Sequence, residues 1–223
     1  MPRSKSAKNS FARNNGLSLV FAALMALTLL LHALTGWLAD NHQRRHEGKP
    51  EHSLPAYVAS GPFQSSLFEN WESEFLQMGL FVVLTVSLRQ KGSSESRKMD
   101  PAEEEKKRYP AAAQPWPVRR GGIWKAIYAH SLSLSLFLLF LLSFVGHWIG
   151  SWRHHSEEQL AMGQPPPSLV EHLCSAELWF ESMQNWQSEF LAVLAIVVLS
   201  IFLREKDSSQ SKPVEAPHSE TGA

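Results

Sequence analysis

The sequence predicts an all-α integral membrane protein: a four-helix bundle built from two tandem helical hairpins that enter the bilayer the same way round. Three observations carry this reading. Long apolar runs alternate with long hydrophilic stretches, the chain matches itself at an offset of 115 residues, and Lys and Arg segregate to one set of connecting segments. Composition agrees. Charged residues make up 19% of the chain, below the roughly 25% of an ordinary soluble domain. The 21 basic residues balance the 21 acidic ones, so no global field recruits nucleic acid. A single cysteine excludes an internal disulfide framework and any multi-thiolate metal site.

In chain order, residues 1–13 read as a basic cytoplasmic arm carrying Arg3, Lys5, Lys8 and Arg13. Residues 14–91 form the first repeat, with spans at 17–38 and 71–88 and an outer loop at 39–70. Residues 92–125 read as a disordered cytoplasmic linker, rich in Ser, Glu, Lys and Pro and without apolar periodicity. Residues 126–206 form the second repeat, with spans at 130–151 and 186–203 and an outer loop at 152–185. Residues 207–223 read as a disordered cytoplasmic tail. The apolar runs in the first and third spans are long enough for a hydrocarbon core of roughly 30 Å at about 1.5 Å per residue. Those in the second and fourth are shorter, but each starts near a Trp (Trp71, Trp186) and ends at an Arg (Arg89, Arg204). Interfacial Trp and snorkelling Arg extend the effective span. A signal peptide is the competing reading of the first run. Its apolar length and the lack of an Ala-x-Ala site favour retention.

The self-match is ungapped. Leu17-Ser18-Leu19 meets Leu132-Ser133-Leu134, His32 meets His147, Trp37 meets Trp152, and Gly48-x-Pro50 meets Gly163-x-Pro165. Asn70-Trp71-x-Ser73-Glu74-Phe75-Leu76 meets Asn185-Trp186-x-Ser188-Glu189-Phe190-Leu191. About 27 identities fall within roughly 81 positions, and they continue through the hydrophilic loops, where apolar composition cannot produce them. The arm, the stretch from Arg89 to Lys125 and the stretch from Arg204 onward carry 17 Lys and Arg against 4 in the two outer loops, which places both termini and the linker in the cytoplasm. The hairpins then relate by a pseudo-twofold axis along the membrane normal. Within the outer loops, Ser168-Leu-Val-Glu171 reads as a capping box and Ser53 as its counterpart. Short amphipathic helices over the outer membrane face are expected there.

The doubled pattern of Trp, Gly-x-Pro, Ser-Leu and Asn-Trp-x-Ser-Glu-Phe resembles a family of uncharacterised bacterial integral membrane proteins grouped as a domain of unknown function. The resemblance covers about residues 14–212. It implies a bacterial cytoplasmic (inner) membrane location and no activity.

No P-loop, dinucleotide-binding glycine motif, zinc-protease motif or nucleophile elbow occurs, so no catalytic residue, metal site or required cofactor is expected. Polar residues at membrane depth remain the candidates, because they are costly in lipid. The expected site is a polar layer in the outer leaflet made of His32, Glu74, His147 and Glu189, with Asn70 and Asn185 above it. Glu72 ranks below Glu74, because Gln187 replaces it in the second copy. Trp37, Trp71, Trp152 and Trp186 are expected as interface anchors. The loop histidines His42, His46, His52, His154, His155 and His172 are expected on solvated surface. Three functions fit: a structural or partner-binding membrane protein touching lipid, itself or other membrane proteins; a small transporter or channel subunit using the His/Glu layer; and a haem carrier ligated by His32 and His147.

Overall fold

The computed structural model describes residues 11–100, 102 and 109–222. The residues at 1–10 and 103–108, which hold most of the basic arm and the Glu/Lys run of the linker, lie outside the described residues. Among those described the structure is all-helical. The helices are α1 (Phe11–Asn14), α2 (Gly16–His46), α3 (Leu54–Val58), α4 (Gly61–Ser87), α5 (Trp116–Arg120), α6 (Gly122–Ala129), α7 (Ser131–Ala161), α8 (Leu169–Leu173) and α9 (Ala176–Phe202). Three segments are long and apolar enough to cross a membrane: Gly16–His46, Ser131–Ala161 and Leu169–Phe202. The long helices outrun their apolar cores. α4 begins at Gly61 and α9 at Ala176, well before the expected span starts at 71 and 186. Hydropathy alone had assigned these polar first turns to the loops.

The elements fall in register with the offset seen in the sequence. α2 and α7, α3 and α8, and α4 and α9 begin and end 115 residues apart. Individual bonds keep the same spacing. Trp37 donates its indole N–H to the His52 carbonyl at 2.7 Å, and Trp152 donates to the Pro167 carbonyl at 2.9 Å. Ser53 and Ser168 cap the following short helices, the latter in the expected capping box with Glu171. Gly48 and Gly163 both take positive φ where the chain turns back from the long helix.

The chain divides into two compact units, residues 1–63 and 64–223. In the first, the 47–58 turn is tied to α2. Asn41 donates to the His52 carbonyl at 2.9 Å and accepts from the His52 N–H at 2.7 Å, while His52 Nδ1 pairs with Asp40 at 2.9 Å. His52 is therefore a loop fastener rather than a solvated side chain. Tyr57 and Phe63 are buried, and the His32 ring lies 5.2 Å from Phe63.

In the second unit, α4 and α7 meet at small residues. A Cβ at Gly150 would sit 2.5 Å from the Ser65 amide nitrogen, and one at Gly146 would sit 2.6 Å from the Phe68 ring. This close approach needs the small-x-x-x-small spacing of Gly146 and Gly150. α4 buries an unusual face: Ser65, Glu72, Ser73 and Gln77 are all buried. The helix turns its polar stripe inward, which explains why it falls outside the segments apolar enough to span although it is as long as α9.

Residues 92–98 and 207–222 fall within the linker and tail expected to be disordered; instead they are knit together and to the helix ends at 88–91 and 204–206. Arg89 and Arg204 each fold back onto three carbonyls at the end of their helix. The backbone N–H of Gln90 donates to Ser96 Oγ, and that of Glu205 to Ser211 Oγ, again 115 residues apart. Gly92 donates to Thr221 Oγ1 and Gly222 to the Ser93 carbonyl, both at 2.9 Å. Lys212 is 1% exposed and its ammonium donates to the carbonyls of Gly92, His218 and Glu220. Low hydrophobicity suggested disorder, but backbone and hydroxyl bonding orders this segment without an apolar core.

Two outcomes test the packing. Gly150→Ala forces α4 and α7 apart and lowers stability in detergent by about 1–3 kcal/mol. Gly16→Ala, whose Cβ meets nothing within 4 Å, is neutral or slightly stabilising by the same thermal-unfolding measurement. The second outcome is pH-dependent. The Lys98 ammonium, 2.7 Å from Glu220, holds that carboxyl below its ordinary value of 4.5. A depressed carboxyl pKa contributes stability that is fully present above the unfolded value and is lost as pH falls through the folded one. Amide exchange at Gly92 and Gly222, corrected for intrinsic rate, therefore accelerates as pH falls from 4.5. The Lys98→Met variant loses this pH dependence.

Candidate functional site

Three helices of the second unit turn polar faces toward one point. α7 buries Ser143, His147, Gly150 and Ser151, the i, i+4, i+7, i+8 face of a helix. α4 contributes Glu72 from its inward stripe. α9 contributes Glu181, Asn185 and Trp186, with Leu178 and Ser182 buried on the same side.

His147 is the centre. Its side chain is fully enclosed, as is that of Glu72. His147 Nδ1 lies 2.8 Å from Glu72 Oε2, and Nε2 lies 3.0 Å from Glu181 Oε2. A carboxylate only accepts hydrogen bonds, whereas a neutral imidazole has one donor and one acceptor. Two carboxylates on one imidazole therefore need a shared extra proton, either on the ring or on one acid. The acids are held in turn. Trp186 donates its indole N–H to Glu72 Oε1 at 2.8 Å, and Ser151 donates to Glu181 Oε2 at 2.7 Å. With its proton committed, the Ser151 oxygen accepts from His172 Nε2 at 3.0 Å. This fixes the His172 tautomer and leaves Nδ1 facing Ser175 Oγ at 3.5 Å. The His155 ring stacks on His172 at 5.5 Å. Asn185 donates to the Glu69 carboxylate beside the cluster.

The expected polar layer is redistributed. Of its members, only His147 sits at the centre. The two nitrogens of His147 face Glu72 and Glu181 rather than Glu74 or Glu189. Asn70 is exposed and bonds back to the Ser66 carbonyl of its own helix, while Asn185 joins the edge of the cluster through Glu69. His32 belongs to the first unit, against Phe63. Of the expected anchors, Trp37 and Trp152 fasten loops, Trp71 packs edge-on to Phe68, and Trp186 serves Glu72.

Glu72, Glu181 and His172 are the residues that sequence reasoning missed. Glu72 was ranked down because Gln187 replaces it. Yet Glu69, Glu72 and Ser73 share the i, i+3, i+4 face that Glu74 does not. Glu181 and His172 were assigned to the outer loop. The signal was the continuation of the Leu178, Glu181, Asn185 spacing into the last span. His172 is 1% exposed, not solvated. Among the described residues no group of three or more His, Cys, Asp or Glu is placed to hold a metal ion.

A family model for a domain of unknown function, DUF6766, matches residues 8–223. The chain belongs to this family. No curated protein and no solved structure matches it. The match takes in both the first hairpin and the whole His147 cluster, so the DUF6766 domain is nearly the entire chain rather than an appendage to it.

A double-mutant cycle tests the clasp. Glu72→Ala or His147→Ala leaves a buried partner uncompensated and costs roughly 3–5 kcal/mol. The pair couples, so the double variant loses less than the sum of the singles. Glu74→Gln, outside the clasp, stays within about 1 kcal/mol of wild type by thermal unfolding in detergent.

Proposed function

We propose that this chain is a non-catalytic, four-span membrane protein of the bacterial cytoplasmic membrane. In this reading it consists of two parallel hairpin repeats with both termini and the linker in the cytoplasm. Its role is structural or partner-binding, toward itself or other membrane proteins. The common offset of the helix bounds supports the repeat. The partition of 17 Lys and Arg against 4 supports the orientation. α4 serves as the fourth span because its polar face is turned into protein, where Glu72 is met by His147 and Trp186 instead of lipid.

One observation carries the non-catalytic reading: the cluster consumes its own chemistry. Both nitrogens of His147, both oxygens of Glu72 and the Ser151 hydroxyl are already bonded within the chain. These groups hold one another in place of a substrate. A site of this kind works as a specific lock among α4, α7 and α9, fixing their register in a medium where apolar packing alone discriminates weakly. The hydrogen-bonded chain from Glu72 through His147, Glu181 and Ser151 to His172 gives the alternative, a proton or ion path, its one specific support.

The experiment is a flux assay. Proteoliposomes carrying a pH-sensitive dye and an imposed proton or potassium gradient show the same leak with wild type, with His147→Ala and without protein. A protein-dependent flux that His147→Ala removes would establish the transporter reading in its place.

A further inference from the structure

Residues 116–130 have no role in the clasp and carry a different pattern. α5 ends in Arg119 and Arg120, and Gly121 and Gly122 follow with φ of 71° and 55°. These two left-handed residues break the helix and set α6 off as a separate piece. On α6, Ile123, Trp124, Ile127 and Tyr128 form the i, i+1, i+4, i+5 face. Ile123 is 70% exposed and Ile127 50% exposed. Lys125 lies two positions from Ile123, on the opposite side. Trp116 of α5 packs at 5.5 Å from Trp124, and the Arg120 guanidinium sits 5.0 Å over the Trp124 ring. A Trp–Trp–Arg cluster thus stays ordered while its apolar face remains uncovered. The residue after α6, His130, leads straight into α7, one of the segments apolar enough to span. No Asp or Glu occurs anywhere in 109–156.

We propose that residues 116–130 form an interfacial anchor that binds the anionic phospholipid surface at the N-terminal end of α7. The apolar face sits at the acyl boundary, the Trp and Tyr rings at headgroup level, and Arg119, Arg120 and Lys125 against phosphate. The covalent link to α7 holds the segment at this depth, so it needs no affinity of its own to reach the bilayer. Charge complementarity selects the lipid: three cations in a stretch of sequence free of Asp and Glu favour anionic over zwitterionic headgroups, by about fivefold per cation. The assignment to the cytoplasmic leaflet rests on the topology proposed above; the contact with anionic lipid does not.

The test uses the full chain with Cys174→Ser, and a nitroxide on Ile123→Cys or, as the water reference, on Val214→Cys. The protein is placed in nanodiscs of phosphatidylcholine, with or without phosphatidylglycerol. Collision with oxygen is compared with collision with a water-soluble nickel chelate. The expected result is a lipid-like label at 123 when phosphatidylglycerol is present. The lipid-like fraction, measured against the water-like one, falls about fivefold for each of Arg119→Gln, Arg120→Gln and Lys125→Gln. A water-like label at 123 in both lipids overturns the proposal. So does a label shielded from both quenchers whatever the lipid charge, since protein would then cover the face. Topology is read separately, by an impermeant thiol reagent on intact cells carrying Val214→Cys. Labelling there refutes the cytoplasmic assignment while leaving the nanodisc result intact.

Discussion

The second unit is organised around one enclosed imidazole held between two carboxyls from different helices. Glu72 and Glu181 reach His147 from α4 and α9 at 2.8 and 3.0 Å. Charged and polar groups this deep persist only where every lone pair and proton is met. That demand propagates. Trp186 must stand beside Glu72, Ser151 beside Glu181, and His172 must reach Ser151, so the short helix α8 is drawn against α7. The polar stripe of α4 has to face inward to supply Glu72, and the glycines of α7 have to admit α4 closely enough for it to do so. Remove the imidazole and two acids lose the partner that offsets their burial.

The two halves of the chain differ at this point in an informative way. At the 115-residue offset, His32 corresponds to His147, but Gln187 stands for Glu72 and Ser66 for Glu181. The positions equivalent to the clasp keep the ring, His32, and lack both acids, so the lock has no charged counterpart. The loops diverge similarly. Asn41 clamps His52 through two backbone bonds. The corresponding Ser156 hydroxyl is buried without a partner, and Pro167 has no N–H to offer an Asn in its place. What both copies retain is the Trp-to-loop bond and the Ser cap, interactions that close a hairpin irrespective of what its core contains.

The ends of the second unit handle polarity differently from its middle. At 88–98 and 204–222, order comes from hydroxyl and carbonyl bonding around an enclosed Lys212 ammonium. At 116–130 the apolar rings stay uncovered and the cations surround them. The first arrangement satisfies its charge within the chain, and the second leaves it available to a surface outside.

Hydrophobic run length and residue spacing were enough to read an all-helical chain with helices long and apolar enough to cross a membrane, and the Ser168 capping box, because these depend on local composition and spacing. Identity between copies also led to His147. It misled about the acids, since equivalence at Glu74 and Glu189 marks what two hairpins share, while the clasp uses Glu72 and Glu181, which they do not. Nor could composition foresee order in the tail, because its bonds join residues more than a hundred positions apart, as Gly92 with Thr221. Which face of α4 turns inward, and hence which carboxyl meets the imidazole, was decided by packing. The helix period places Glu72 and Glu74 on different sides, but only the approach of α7 across Gly146 and Gly150 selects between them.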